Sequence, residues 1–365
     1  MLGPVDAAIY RALFRDSEAR FWGSRAVVDP RVSLAEVSRR TGIARTTVQA
    51  RFSLWRRGGF WLGHEVWANP ALFGARVATV DLAVESPSEV DRLMCDLSEV
   101  EGVLSARDLQ DEGGRTVRVH LVDDGPRELA RRLRHLRRLA VTGPDPVAQP
   151  FWVPRPAREL SGLDWRVVAC YRTFPGATLT EAAASLGITP KTLAQRRSQL
   201  VEQNALWWML NTNTSKFPTA AFYLRLRDPA LREEVKSRLL SEVVGWIPCA
   251  DDGFGRSPGP ELDMVAGLAL VETPASVDDV ARRIAGVSGV AAVRWRIPRR
   301  FRSYPDWLDR QLRAQMTERT LRTIRTRVPD SPRMLDPLGV LAAPQRGPRG
   351  PGLIPPTEAG PARPN

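Results

Sequence analysis

The sequence predicts an α+β chain in which one multi-element unit is used twice: three helices with a short strand pair, then a sheet domain. Three observations predict it. "SLAEVSRRTGIARTTVQARFSLW" (33–55) aligns without gaps to "TLTEAAASLGITPKTLAQRRSQL" (178–200), so that Leu34, Glu36, Gly42, Ile43, Thr47, Arg51 and Ser53 recur as Leu179, Glu181, Gly187, Ile188, Thr192, Arg196 and Ser198. Within each copy the apolar residues fall at helical spacing and break once, at glycine. Downstream of each copy, runs of alternating apolar residues enclose helical stretches in the order strand, helix, strand, strand, helix, strand.

In each unit a first helix begins near Asp6 or Asp164, both good N-caps. A second helix begins after Ser33 or Thr178 and stops at Gly42 or Gly187. The third runs over about 45–57 and 190–203, with Thr189-Pro190 a cap followed by proline at the first helical position and Ala44 a poorer cap. "GFWLGHEVWANP" reads as a two-stranded wing turning at Gly63-His64, and "ALWWMLNTNTSKFP" resembles it. Each triplet with its wing thus reads as a winged helix-turn-helix, and each sheet domain as ferredoxin-like.

The domain reading is winged helix-turn-helix 1 over 1–70 and ferredoxin-like domain 1 over 71–140, followed by a Pro-rich linker over 141–160. Winged helix-turn-helix 2 takes 161–216, ferredoxin-like domain 2 takes 217–300, a C-terminal helix 301–328, and a Pro/Gly-rich tail without fixed structure 329–365. In the first half the last strand is weak, near 140 or within 147–153.

With 53 Lys and Arg against 41 Asp and Glu among 365 residues, the chain carries a net charge of +12, which favours polyanionic partners. The three cysteines, Cys95, Cys170 and Cys249, form no paired motif, which fits a reducing cytoplasm and argues against structural zinc. The N-terminus meets Asp6 before any long apolar run, so no signal peptide is read, and no window reaches the roughly 18 apolar residues of a membrane span. His64, His120 and His135 share no metal-ligand spacing, so neither metal nor cofactor is expected. "GFGRSPG" (253–259) lies between strands and reads as a hairpin loop. "RELARRLRHLRRLA" (127–140) reads as an amphipathic helix on its sheet, and "VRWRIPRRFR" (293–302) as an edge strand with solvated arginines.

Val48, Phe52 and Trp55 form the inner stripe of the first third helix, leaving Arg45, Thr46, Thr47 and Gln49 outward, with Arg56 further along. Arginine pairs with guanine and glutamine with adenine in the major groove. Arg39, Arg40 and Arg51 stand where phosphate contacts fall, and the second copy offers Lys191, Thr192, Gln195 and Arg196. Double-stranded DNA is the expected partner.

These residues, with "VDAAIYRAL" ahead of them and "NPALFG" behind, resemble the Lrp/AsnC (leucine-responsive, feast/famine) family of transcriptional regulators. The resemblance spans about 5–139 and again 163–298. It implies a cytoplasmic DNA-binding regulator rather than an enzyme, sheet domains that pair, and an amino-acid-like effector. The tandem chain would pair within itself or form a homo-oligomer. Of that family's sensor-loop pattern only Asp263 is matched. Siroheme decarboxylases are similar to this family in architecture, and a tetrapyrrole enzyme is the rival reading, although a His-rich, Tyr- and Arg-containing motif is not evident. A third reading is a scaffold for protein partners.

Overall fold

The computed structural model describes residues 4–13, 20–22, 25–28, 32–111, 113–140, 143–151, 153–212, 219–239, 243–247, 264–271, 273–316, 334–335 and 341–342. The Gly-rich loop at 253–259, Asp263, Cys249 and most of the tail lie outside them.

The first helical triplet is α1 (Pro4–Ala12), α2 (Leu34–Thr41) and α3 (Arg45–Arg57); the second is α6 (Gly162–Thr173), α7 (Leu179–Leu186) and α8 (Pro190–Glu202). Local chemistry sets their ends. The Ser33 and Thr178 hydroxyls accept the amides of Glu36 and Glu181 at 3.2 and 3.1 Å, and α2 and α7 both stop at a left-handed glycine, Gly42 (φ 69°) and Gly187 (φ 68°). Asp6 and Asp164 are not the caps expected of them. Asp6 sits inside α1, and Asp164 is the third residue after the true cap, Ser161. Both carboxylates are buried, and each anchors the third helix of its own triplet. Asp6 accepts from Trp55 Nε1 at 3.0 Å and pairs with Arg51 at 3.4 Å; Asp164 pairs with Arg196 at 3.5 Å.

Among the described residues the first expected wing is not a hairpin, and residues 213–218 of the second lie outside them. β3 (Trp61–Ala68) runs straight through Gly63, whose φ of 109° makes a bulge rather than a turn, and β8 (Leu206–Thr212) is likewise one strand. They pair antiparallel with each other, in a small sheet of order β1 (Arg20–Trp22), β2 (Arg25–Val28), β8, β3. The reason lies in burial on both faces. Val66 stands opposite Trp208 on the face that enters the helical core, and Trp67 opposite Trp207 on the face that enters a second cluster with Trp307 and Leu308. Both triplets therefore share one core, in which Phe52, Val48, Leu193 and Leu200 are fully buried.

An antiparallel eight-stranded sheet carries the rest. The first half supplies β4 (Arg76–Val84), α4 (Pro87–Asp96), β5 (Val103–Asp111), β6 (Gly114–Asp123), α5 (Pro126–Leu139) and β7 (Gln149–Phe151), the weak last strand of the sequence reading. The second half supplies β9 (Thr219–Leu226), α9 (Arg232–Arg238), β10 (Val243–Ile247), β11 (Met264–Leu270), α10 (Val277–Ala285) and β12 (Val290–Ser303). The strand order is β10-β11-β9-β12-β5-β6-β4-β7. β12 joins the halves: its first part pairs with β9 and its last part with β5, with a register shift at Pro298–Arg300, so it is an internal strand and not the edge expected of it. α4 and α5 cover one face of the first half over Leu93, Leu97, Val119 and Leu136; α9 and α10 cover the same face of the second. α11 (Asp306–Ala314) then crosses behind β5, shorter than the helix expected over 301–328 as far as the described residues go, and β13 (Met334–Leu335) pairs with β14 (Leu341–Ala342) in the tail.

Candidate functional site on the open face of the sheet

Strand side chains alternate between faces. In β4, β5 and β6 the helix-covered face takes Val80, Leu82, Ala106, Val117 and Val119. The opposite face takes Thr79 and Asp81 from β4, Ser105 and Arg107 from β5, and Arg118 and His120 from β6. The ladder sets Thr79 against His120, Asp81 against Arg118, Ser105 against His120, and Arg107 against Arg118. At one end this face is closed by Val77, Leu104 and Val122 beneath Trp67, Trp207 and Trp307. At the other end it opens at Asp81.

The cluster is buried although it is charged: Arg107, Arg118 and His120 keep only 6, 7 and 4% of their surface exposed. Arg118 holds Asp81 by two parallel bonds of 2.7 Å each. Arg296, from β12 of the other half, reaches Asp81 at 3.6 Å and Asp111 at 3.5 Å, and its guanidinium lies 5.9 Å from the Tyr223 ring centre. Arg107 lies 5.3 Å from the ring centre of Phe301, and the Phe151 ring stands edge-on to His120 at 4.8 Å. Arginines and aromatic rings thus interleave on this face.

Burial, reinforced by Arg118 and Arg107, brings His120 down to a pKa of about 3, so at neutral pH it is an uncharged imidazole. Ser105 Oγ lies 3.1 Å from its Nδ1. Burial alone would raise the Asp81 carboxyl; Arg118 and then Arg296 outweigh it and hold Asp81 below the usual carboxylate range. Among the described residues the buried Thr79 hydroxyl has no hydrogen-bond partner. Chemically, the arrangement sets guanidinium groups around a neutral imidazole and one ionised carboxylate.

Among the described residues the second half has no counterpart. The same face of β9 and β11 carries Ala221, Tyr223, Ala266 and Leu268, all packed into the core of the helical triplets. A separate concavity of about 500 Å³ lies between α11 and the start of β5, lined by Glu99, Glu101, Tyr304, Trp307, Arg310 and Arg313, where Arg310 pairs with Glu101 at 3.1 Å.

The residues singled out from the sequence lie elsewhere, on the helical triplets. Arg45, Thr46, Thr47 and Gln49 are exposed on α3, Arg56 is half-buried, and Lys191 and Gln195 are exposed on α8. Several of the others are engaged within the fold. Arg39 and Arg40 both bond Glu36, at 2.6 and 2.7 Å, and hold its carboxyl down at about 2. Arg51 and Arg196 tether α3 and α8 to α1 and α6, and the Thr192 hydroxyl bonds Thr189 at 2.9 Å. His64 is buried beside Trp61, not exposed at a wing tip. Among the described residues no group of His, Cys, Asp and Glu could hold a metal, and no helix is long and apolar enough to cross a membrane.

No family model matches the chain, and no curated protein matches it. Among solved structures it is similar to the siroheme decarboxylase NirDL, with 12% identity, a TM-score of 0.43, and coverage of 84% of this chain and 98% of that one. It is similar to the same enzyme in co-complex with an iron-uroporphyrin III analogue, again at 12% and 0.43, over 85% and 99% of the two chains. An anthrone oxidase-like protein follows at 12%, a TM-score of 0.27, and 66% and 98% coverage. None of the three is a transcription regulator. These findings correct the reading of the chain as a DNA-binding regulator of the Lrp/AsnC kind, and with it the reading that it is no enzyme. Likeness at this level assigns no chemistry, which has to come from the side chains.

Proposed function

We propose that the chain is a tetrapyrrole enzyme of the siroheme-decarboxylase-like kind, with one site per chain on the open face of β4, β5 and β6. The observation that carries this is the set of buried Arg107 and Arg118 with half-buried Arg296 around neutral His120 and Asp81, interleaved with Phe151, Phe301 and Tyr223. A tetrapyrrole with acidic side chains presents a flat apolar ring rimmed by carboxylates, and arginine forks with aromatic faces match both parts. Arg118 is already committed to Asp81 by two short bonds. The longer contacts of Arg296 to Asp81 and Asp111 make it the cation that exchanges most readily to an incoming carboxylate.

In decarboxylation the bond from the side-chain carbon to the carboxylate breaks, carbon dioxide leaves, and the electron pair left on carbon takes a proton. The low-dielectric floor favours loss of the charged carboxylate over keeping it buried. Arg107 and Arg296 hold the carboxylates that do not react, and His120 relays the proton.

The same reading extends to the architecture. Each half has its sheet strands in the order fourth, first, third, second, which supports a ferredoxin-like pair joined inside one chain as a pseudo-dimer. The helical triplets are helix-turn-helix modules fused through β3 and β8, and three scattered cysteines suit a cytoplasmic setting.

The test is an absorbance titration of the purified protein with an iron-uroporphyrin, followed by mass spectrometry for loss of carbon dioxide from added siroheme. Binding that weakens by roughly tenfold or more in Arg296→Ala is expected, since hydrogen bonds to charged groups contribute about 1.5–3 kcal/mol each. No spectral change with the native protein defeats the proposal.

A further inference from the structure

We infer that Thr79 is a binding residue of this site, its hydroxyl donating a hydrogen bond to a carboxylate oxygen of the ligand. That the hydroxyl is unpartnered within the described fold follows from the protein alone. The ligand it serves rests on the function proposed above, to which it adds a second point of attachment.

Thr79 lies near the middle of β4, 3% exposed, and among the described residues its hydroxyl has no hydrogen-bond partner. The ladder sets His120 of β6 and Gln149 of β7 directly opposite it, so all three share the open face, yet neither neighbour bonds the hydroxyl. A hydroxyl buried in this way has given up water without gaining a partner, which is unfavourable. Valine has the same branched shape, suits a strand equally well and carries no donor. β4 takes valine at Val77, Val80 and Val84, and Thr79 is its only buried residue with a polar side chain. A threonine whose oxygen finds nothing inside the fold is a donor held for something from outside it.

The surroundings define the class of acceptor. Along the same face Asp81 follows two residues on, about 7 Å toward the open end. Val77 lies as far the other way, in the cluster with Trp67, Trp207 and Trp307. Thr79 thus stands where the charged part of the face meets the apolar part. Among the described residues Arg107, Arg118 and Arg296 stand on this face against two carboxylates, Asp81 and Asp111. The surplus is positive, so the oxygen best received there is anionic, and a hydroxyl bond to a carboxylate is among the stronger kinds. A polycarboxylated ring held at its edge by Arg296 would carry a further carboxylate inward to Thr79, and the second bond would fix how the ring is turned in the site.

The test joins a thermal melt to a titration, both on the full chain. In the ligand-free protein Thr79→Val should raise the melting temperature by roughly 2–4 °C, because a methyl group replaces a buried donor without a partner. The same variant should bind iron-uroporphyrin roughly tenfold or more weakly by absorbance, as expected for a lost bond to a charged acceptor. Thr79→Ser, which keeps the hydroxyl, should bind within a few-fold of the native protein and show no gain in melting temperature. A Thr79→Val protein that melts at or below the native temperature overturns the inference, since the hydroxyl would then already be bonded within the fold. So does a stabilised Thr79→Val that binds as tightly as the native protein. A Thr79→Ser that loses as much affinity as the valine variant also overturns it, by tracing the loss to shape. Each of these failures leaves the proposed function standing. A native protein that gives no spectral change with iron-uroporphyrin defeats that function, and the ligand of Thr79 with it.

Discussion

His120 couples the site to the stability of the whole protein. In the unfolded chain a histidine binds its proton near pH 6.5; in the fold His120 binds it only near pH 3, because burial and the two flanking arginines oppose a third cation. Between these values the unfolded state holds one more proton than the native state. Stability is therefore fully present above about pH 6.5 and falls as the pH drops, by up to about 1.4 kcal/mol per pH unit from this residue. Asp81, whose carboxyl is held down by Arg118 and Arg296, also loses its contribution on the acid side. Chemical denaturation of the native protein and of His120→Gln at several pH values between 4 and 7 checks this: the variant should show the shallower slope. An equal slope would mean that His120 is solvated. These residues were legible only in part. "TVDLAV" and "TVRVHLV" do show polar groups at alternate positions of apolar strands, a sign that one face is doing something other than filling a core. What is invisible along the chain is that Ser105, Arg107, Arg118 and His120 share that face with Arg296, about 180 positions on. Read singly, His120 is a lone strand histidine and Arg296 a solvated arginine.

At the scale of elements, the repeat and the helix ends are plain in the sequence because they depend on neighbours: Ser33, Thr178, Gly42 and Gly187 act within their own turns. The strands after each triplet are not, because alternation alone does not separate a hairpin bent at Gly63 from a straight strand bulged there. What decides is the partner, β8 for β3, and the burial of both faces of that pair. The same long-range pairing converts Arg51 and Arg196 from candidates for an outside partner into tethers on Asp6 and Asp164. Trp208 lies at the centre of this arrangement, 1% exposed, against Tyr171 at 5.1 Å and opposite Val66. Trp208→Ala should cost about 3–5 kcal/mol, the range for truncating a buried tryptophan. Arg45→Ala and Gln49→Ala, on the exposed face of α3, should stay within about 0.5 kcal/mol. Thermal melts of the three variants check both; a Trp208→Ala protein as stable as the native one would show that the triplets do not share a core.

For the whole molecule, duplication has produced an unequal pair that cannot be taken apart. The first half keeps its open face polar, whereas the second half turns Ala221, Ala266 and Leu268 into the helical core, so one half carries the site and the other supports it and lends Arg296. Three strand pairings cross between the halves, β12 on β5, β3 on β8 and β2 on β8, and Arg172 of α6 adds a further link, bonding the Val66 carbonyl at 2.8 Å and Asp309 of α11 at 2.9 Å. Cutting at the linker would expose Phe52 and Trp61 on one side, Trp208 on the other, and on both sides the strand edges that these pairings cover, which invite aggregation. The native chain should therefore unfold in a single transition in denaturant, with near- and far-ultraviolet circular dichroism coincident, despite its length. Fragments 1–155 and 156–316 made separately should be insoluble or loosely packed, and made together should recover a soluble complex that binds one iron-uroporphyrin per pair. Two separated transitions, or a well-folded first fragment that binds ligand unaided, would show instead that the second half is a passenger and that Arg296 has no part in the site.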